Sequence, residues 1–184
     1  MDLEKLGIKD PSGVIGSDGI NQLLLFISRL YKDVYTEAPS FSHTNITDGV
    51  IDGLFEKKLI KPGIRVLDAG CGMGPALEKF RSLGIEAEGI TMSQDETEYL
   101  SERKFLVHRM DFSFPKFEPH SFDFVWARHI LEHSPFPYFT LNQFNLILKN
   151  ESLLYIEVPQ ANSPFKHESN YNHYSVLGRE MLES

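Results

Sequence analysis

The sequence predicts an α/β protein built on a doubly wound, mostly parallel sheet. Short apolar runs of strand length alternate with amphipathic stretches of helical length between residues 64 and 158. The first of these runs enters a glycine-rich turn, Asp68-Ala69-Gly70-Cys71-Gly72-Met73-Gly74, which opens directly into a helical pattern. The chain has 184 residues, enough for one domain with a substantial core. Helices on both faces of a parallel sheet are the packing that such alternation allows, and right-handed crossovers then favour a doubly wound order.

Taken in order, residues 1–18 hold Gly7, Pro11, Gly13 and Gly16 with little periodicity and read as a loosely packed arm. Ile20, Leu23, Leu24, Ile27, Leu30, Tyr31 and Val34 recur at helical spacing and give a helix whose chief role is packing. Residues 36–45 read as a loop. Ile46, Val50, Ile51, Leu54 and Phe55 form a second helix, capped by Asn45 or Thr47 and ended by Lys61-Pro62-Gly63. Strands are expected at 64–68, 87–91, 105–110, 122–127 and 153–158. Helices are expected at 75–83, 93–101 and 137–148, with Pro75 tolerated in a first turn. A polar, aromatic loop and a short helix near 176–182 follow. Residues 1–60 are expected to cover the same domain as a cap, and 61–184 to form its ligand-binding core.

Composition narrows the partners. The chain is 41% apolar and 24% charged, with a net charge of −8, as in a globular protein that does not seek a phosphate backbone. Cys71 is the sole cysteine, so no intrachain disulfide forms. The first ten residues lack an apolar signal core and no run reaches membrane-spanning length. A cytoplasmic protein is expected, with no nucleic-acid or membrane partner.

In a doubly wound sheet, ligands bind beyond the carboxyl ends of the strands at the switch point. The glycine turn falls there. Its pattern is G-x-G-x-G, and Pro75 stands where a dinucleotide fingerprint needs its third glycine. The phosphate loop G-x-x-x-x-G-K-[ST] is absent. Asp68 sits two residues before the first glycine. A carboxylate there repels a pyrophosphate and suits an ammonium group.

These residues carry a resemblance. VLDAGCGMG, residues 66–74, resembles motif I of class I S-adenosylmethionine-dependent methyltransferases. EGITMS at 88–93, HRMDFSFPKFEPHSFDFVWARHILEHSP at 108–135 and LILKNESLLYIEVP at 146–159 resemble the later motifs in the same order. In style the match is closest to small-molecule methyltransferases of the ubiquinone/menaquinone type. It implies a Rossmann-like methyltransferase fold of strand order 3-2-1-4-5 and S-adenosylmethionine as cofactor, with S-adenosylhomocysteine as product. It also implies a small-molecule acceptor methylated at O, N or C. The resemblance places Asp68, Ala69, Gly70, Cys71, Gly72 and Gly74 around the methionine and ribose, with Asp68 near the amino group. It places Asp111 on the adenine amino group, Phe112 along the base, and Ala127 and Arg128 beside the methionine carboxylate. The acidic residue that usually closes strand two is Thr91 here. GITMSQ is similar to the variant of cyclopropane-fatty-acid-synthase-like members, so Thr91, Met92 and Gln94, or Asp95, are expected to hold the ribose. At the turn KNES the family often has Pro-Gly-Gly, and Asn150 is expected to take the left-handed position. The family's hairpin of strands six and seven has no residues left here. Strand five is therefore expected to be an exposed edge, a route to a homo-oligomer or a sign of a truncated chain.

The acceptor side is less determined. HILEH, residues 129–133, follows strand four and lines the acceptor pocket in the resemblance, making His129 and His133 the candidate acceptor contacts or general bases. Structural histidines at a helix start are an equal reading. Their i, i+4 spacing could present both to a metal, but no third ligand is evident nearby and no metal is expected. The loop 167–175 holds two His and two Tyr and suits an aromatic or polar acceptor, or simply solvent. Cys71 reads as a small packing residue. Two other functions remain: a non-catalytic cofactor-binding or interaction module, motivated by Thr91, and a nicotinamide-dependent oxidoreductase, opposed by Pro75.

Overall fold

The computed structural model describes residues 16–30, 41–161, 164, 169–170 and 172–178. The chain divides into two compact units, Met1–Tyr35 and Thr36–Ser184. The described part of the first is one helix, α1 (Gly16–Leu30); residues 31–35 of the expected helix lie outside the described residues.

The second unit begins with α2 (Phe41–Glu56). Then follow β1 (Val66–Ala69), α3 (Pro75–Ser82), β2 (Ala87–Thr91), α4 (Gln94–Glu102) and β3 (Leu106–Arg109). After them come β4 (Phe122–Arg128), a 3₁₀ turn at Leu131–His133, α5 (Pro137–Ile147) and β5 (Leu148–Glu157). All four strand pairings are parallel, in the order β3-β2-β1-β4-β5. The order reverses between β1 and β4, so their carboxyl ends open the crevice in which such sheets bind ligands.

Strand alternation sorts the core into two faces. Leu67, Ala69, Val125 and Ala127 meet Phe144 and Ile147 of α5 on one face. Val66, Phe124 and Trp126 meet Ile51 of α2 and Ala76 and Phe80 of α3 on the other. Leu100 of α4 packs with Leu77 and Cys71 beside that second cluster. Both faces are covered, which is why β1 is buried along its whole length.

Four local expectations change. Residues 36–45 are not all loop: Phe41–Asn45 is the first part of α2. Ser42, Thr44 and Asn45 have turn-like preferences, which docking of the helix overrides. Thr47 is accordingly no cap but a buried residue inside that helix. No separate turn precedes β5; α5 runs straight into it, with a register irregularity at Phe122/Phe124. The left-handed residue is Glu151, at φ 60°, not Asn150. Val176–Gly178 are not helical, and residues 179–184 lie outside the described ones. Among the described residues β5 has one neighbour, β4, and so forms an edge.

Candidate functional site

The glycine turn is held shut against β2. The N–H groups of Gly70 and Cys71 both donate to the Ile90 carbonyl, at 3.0 and 2.9 Å, and Gly74 N–H donates to the Cys71 carbonyl at 2.9 Å. Gly70, Gly72 and Gly74 all have positive φ, at 74°, 51° and 82°. At Gly70 a Cβ would stand 2.2 Å from Ile130 Cγ2, and at Gly74 2.5 Å from Leu100 Cδ2. Two of the three glycines are thus required by packing as well as by backbone hand. Gly72 is different: its nearest neighbour would be Glu96 Oε1 at 4.0 Å.

Asp68 lies at the carboxyl end of β1 and is 3% exposed. Its Oδ2 is buried with no hydrogen-bond partner. Burial pushes this carboxyl up to about 8, so the ligand-free protein holds it protonated at neutral pH. Beside it the Cys71 thiol is pushed up, by burial first and then by the Asp68 and Glu96 carboxyls. Cys71 is buried packing in the turn, and it is why β2 carries Gly89, where a Cβ would lie 2.7 Å from its Sγ.

At the end of β2 the Thr91 hydroxyl donates to Glu96 Oε2 at 2.5 Å and accepts from Ser93 N–H at 3.1 Å. Ser93 caps α4, its hydroxyl accepting from Glu96 N–H at 3.3 Å. Glu96 is 6% exposed. Burial raises its pKa, against the Thr91 hydrogen bond that lowers it.

The β3 end carries Asp111, whose Oδ1 accepts from Ser113 N–H at 2.7 Å. Phe112 packs partly buried on the core. Three buried hydroxyls, Ser113, Ser134 and Thr140, hydrogen-bond one another at 2.8–3.2 Å. They fix this loop to the turn after β4 and to α5.

At the β4 end Ala127 is buried and Arg128 is clamped. Its Nη2 pairs with Glu157 Oε1 at 2.9 Å, and its Nη1 donates to Thr47 Oγ1 at 3.3 Å. His129 has φ 53°. Its Nδ1 stands 3.4 Å from Glu132 Oε1 and its Nε2 3.0 Å from Glu157 Oε1. Hydrogen bonds to Glu132 and then Glu157 raise its pKa to about 9. His129 is therefore an imidazolium at neutral pH, a donor before it is a base.

The profile of the methyltransferase domain matches residues 44–181, three-quarters of the chain. The chain belongs to the methyltransferase-domain family. Its structure is similar to that of an S-adenosylmethionine-dependent methyltransferase from Archaeoglobus fulgidus, with TM-score 0.62 and 27% identity over 74% of this chain and 65% of that one. It is also similar to the 4+2 cyclase SpnF, with TM-score 0.53 and 28% identity over 59% of this chain and 43% of that one. Among curated proteins, sterol 24-C-methyltransferases of Gibberella zeae and Schizosaccharomyces pombe are 36% and 33% identical, over 86 and 85 residues. Those matches cover 41% of this chain and 22% of each relative, so the chain spans about a fifth of their length. The class I, Rossmann-like methyltransferase fold expected from the motifs is the fold observed.

Within this methyltransferase-domain fold, Asp68, the glycine turn, Thr91, Met92, Asp111, Phe112, Ala127 and Arg128 all stand at the carboxyl ends of β1 to β4 or in the loops that follow them. Gln94 does not join Thr91. It is exposed, its Nε2 donating to Glu98 Oε1 at 2.5 Å and its Oε1 accepting from Arg109 at 2.9 Å. Asp95 is exposed too. The buried carboxylate beside Thr91 is Glu96, which is not among the residues expected there. Its signal was Ser93-Gln94-Asp95-Glu96, an S-x-x-E capping pattern that fixes the fourth residue against the helix start. His129 and His133 do not share a helical face, because His129 is itself left-handed and outside any helix, and His133 ends a 3₁₀ turn. His129 turns to Glu157 and Glu132, while His133 turns to Asn172, with its Nδ1 3.0 Å from the Asn172 carbonyl.

Proposed function

We propose that this methyltransferase binds S-adenosylmethionine at the carboxyl ends of β1 and β2 and transfers its methyl group to a small-molecule acceptor. One observation carries the reading: Asp68 keeps a fully buried carboxyl oxygen without a partner directly before the glycine turn. Such an orphan is costly unless a ligand donor meets it, and an ammonium group is the donor that suits it best. Asp68 would hold the cofactor's amino group. Gly72, the one glycine of the turn whose Cβ would meet no close packing, only Glu96 Oε1 at 4.0 Å, would leave room for the ribose. Glu96, steadied by Thr91, would accept from the ribose hydroxyls that Thr91 alone cannot satisfy. Asp111 and Phe112 would take the adenine.

When bound, the cofactor supplies an activated sulfonium methyl, which the acceptor displaces in line. The chain has then to orient the acceptor and exclude water. His129, charged and fixed between Glu132 and Glu157, suits an acceptor oxygen or carboxylate as a hydrogen-bond donor. The sterol 24-C-methyltransferase matches favour a small organic acceptor over a macromolecule.

The test is calorimetric titration of the protein with S-adenosylhomocysteine, beside the Asp68→Ala variant. Tight one-to-one binding that the variant loses supports the reading; no heat at millimolar ligand defeats it. The likeness to a 4+2 cyclase favours a second reading, a cofactor-binding protein that does not transfer methyl groups. Binding without methyl transfer to any member of an acceptor panel would support that one.

A further inference from the structure

A second set of chemistry-bearing side chains lies outside the cofactor reading. Glu132, His133 and His173 each bring one ligating atom to a common point, and all of these atoms lie within 4.8 Å of one another. The first two sit on the 3₁₀ turn after β4; the third comes from forty residues further along. We infer that these three residues form a binding site for a divalent transition-metal ion of the zinc type.

The donor set selects the ion. Two imidazoles and one carboxylate suit zinc and its neighbours, whereas calcium and magnesium ask for oxygen alone. Three protein donors also leave a coordination position open for water or a small ligand.

Glu132 supplies an independent argument. It is 2% exposed, and its Oε2 is buried with no hydrogen-bond partner. Its other oxygen, Oε1, is the one that faces His129, at 3.4 Å. A bare, buried carboxylate oxygen is costly, and a cation beside it removes that cost.

His133 is prepared as a ligand. Its Nδ1 lies 3.0 Å from the Asn172 carbonyl, the partner that the ring N–H meets when Nε2 binds an ion. A ligating histidine ordinarily has its other nitrogen bound to a carbonyl in this way. The His133 and His173 rings meet edge to face with centroids 5.0 Å apart.

The two chain segments are stitched together at this point. Ser175 N–H donates to the Glu132 carbonyl at 3.1 Å. The Ser175 hydroxyl donates to the Ser134 and Leu131 carbonyls, at 3.0 and 3.3 Å. His173 N–H donates to the Asn170 carbonyl at 2.9 Å. Donors sharing a zinc ion at roughly 2.1 Å stand about 3.4 Å apart. Side-chain rotation on this fixed backbone can close the remaining gap. The inference does not rest on methyl transfer, because ion binding is read without cofactor or acceptor.

The test uses the full chain, stripped with EDTA and dialysed into metal-free buffer. Titration with Zn²⁺ against a chromophoric chelator should give one tightly held ion per chain, and Co²⁺ should give visible d–d absorption. His133→Gln and His173→Gln should each lose that ion, while His120→Gln keeps it. Heteronuclear imidazole spectra of the wild type settle the matter even if a variant fails to fold. Of the seven histidines, His133 and His173 should show the largest shifts with Zn²⁺. Failure to hold zinc, retention by both variants, or largest shifts at other histidines would overturn the proposal.

Discussion

Thr91 Oγ1 donates to Glu96 Oε2 across 2.5 Å at the ligand-facing end of β2. The pair joins the last residue of a strand to the first turn of the next helix and keeps a carboxylate within reach of the glycine turn. Glu96 Oε1 points toward Gly72, 4.0 Å from where its Cβ would be. An acid has thus reached the end of β2 from α4 instead of from the strand itself.

This relationship predicts that Glu96, not Gln94, governs affinity through the ribose. Hydrogen bonds to a charged group contribute about 1.5–3 kcal/mol each. Glu96→Gln should therefore weaken S-adenosylhomocysteine by roughly ten- to a hundredfold, and Gln94→Ala by little. Calorimetric Kd values for the two variants decide it. Equal losses would return the role to Gln94.

Asp68 predicts a proton linkage. In the free protein its pKa stands at about 8 because of burial; an ammonium partner would pull it down. Below pH 8 the free protein then carries a proton that the complex does not. Binding releases that proton, so affinity rises with pH and levels off above about 8. Titrations in buffers of different ionisation enthalpy should show about one proton released near pH 7. Asp68→Asn should abolish the release.

The fold was legible because its signals are local and periodic. Apolar runs at β1, β2 and β4 alternate with helical stretches, and glycines stand at the one turn where packing against Ile130 and Leu100 forbids a side chain. The pairing of Glu132 and His133 with His173 was not legible, since it depends on how a loop forty residues away returns over the turn. The helical character of Phe41–Asn45 was hidden by turn-favouring residues that tertiary packing overrules. Glu96 was hidden because a capping pattern says where a residue is held, not that its carboxylate is buried.

The glycine turn predicts unequal effects of alanine. At Gly70 a methyl group meets Ile130 Cγ2 at 2.2 Å with φ at +74°. Overpacking costs about 1–3 kcal/mol and the left-handed backbone about 1–2 kcal/mol more. Gly70→Ala should lower Tm by roughly 5–15 °C. Gly72→Ala faces only the backbone term, since nothing but Glu96 Oε1 lies near, at 4.0 Å. It should lose roughly 1–2 kcal/mol but impair ligand binding more than its stability loss explains. Equal Tm losses in the two variants would contradict the packing argument.

Glu157 predicts where acid begins to loosen the sheet edge. Its hydrogen bond to His129 is the largest influence, opposed by burial and helped by Arg128 and Tyr155, and together they hold the carboxyl at about 2. The folded value lies below the ordinary 4.5. The stability that ionised Glu157 contributes is therefore fully present above about pH 4.5 and is lost as pH falls toward 2. Glu157→Gln leaves Arg128, whose side chain is only 8% exposed, without its anionic partner, and an unpaired buried charge is strongly destabilising. Urea midpoints of wild type and variant should differ clearly at pH 6. The gap should narrow steadily as pH is lowered from 4.5 to 3, because Glu157 of the unfolded chain takes up a proton in that range while the folded carboxyl, held at about 2, keeps its charge. A gap that stays constant over that range would mean that Glu157 acts by shape, and that the charge it shares with Arg128 and His129 is not what holds β5 to the end of β4.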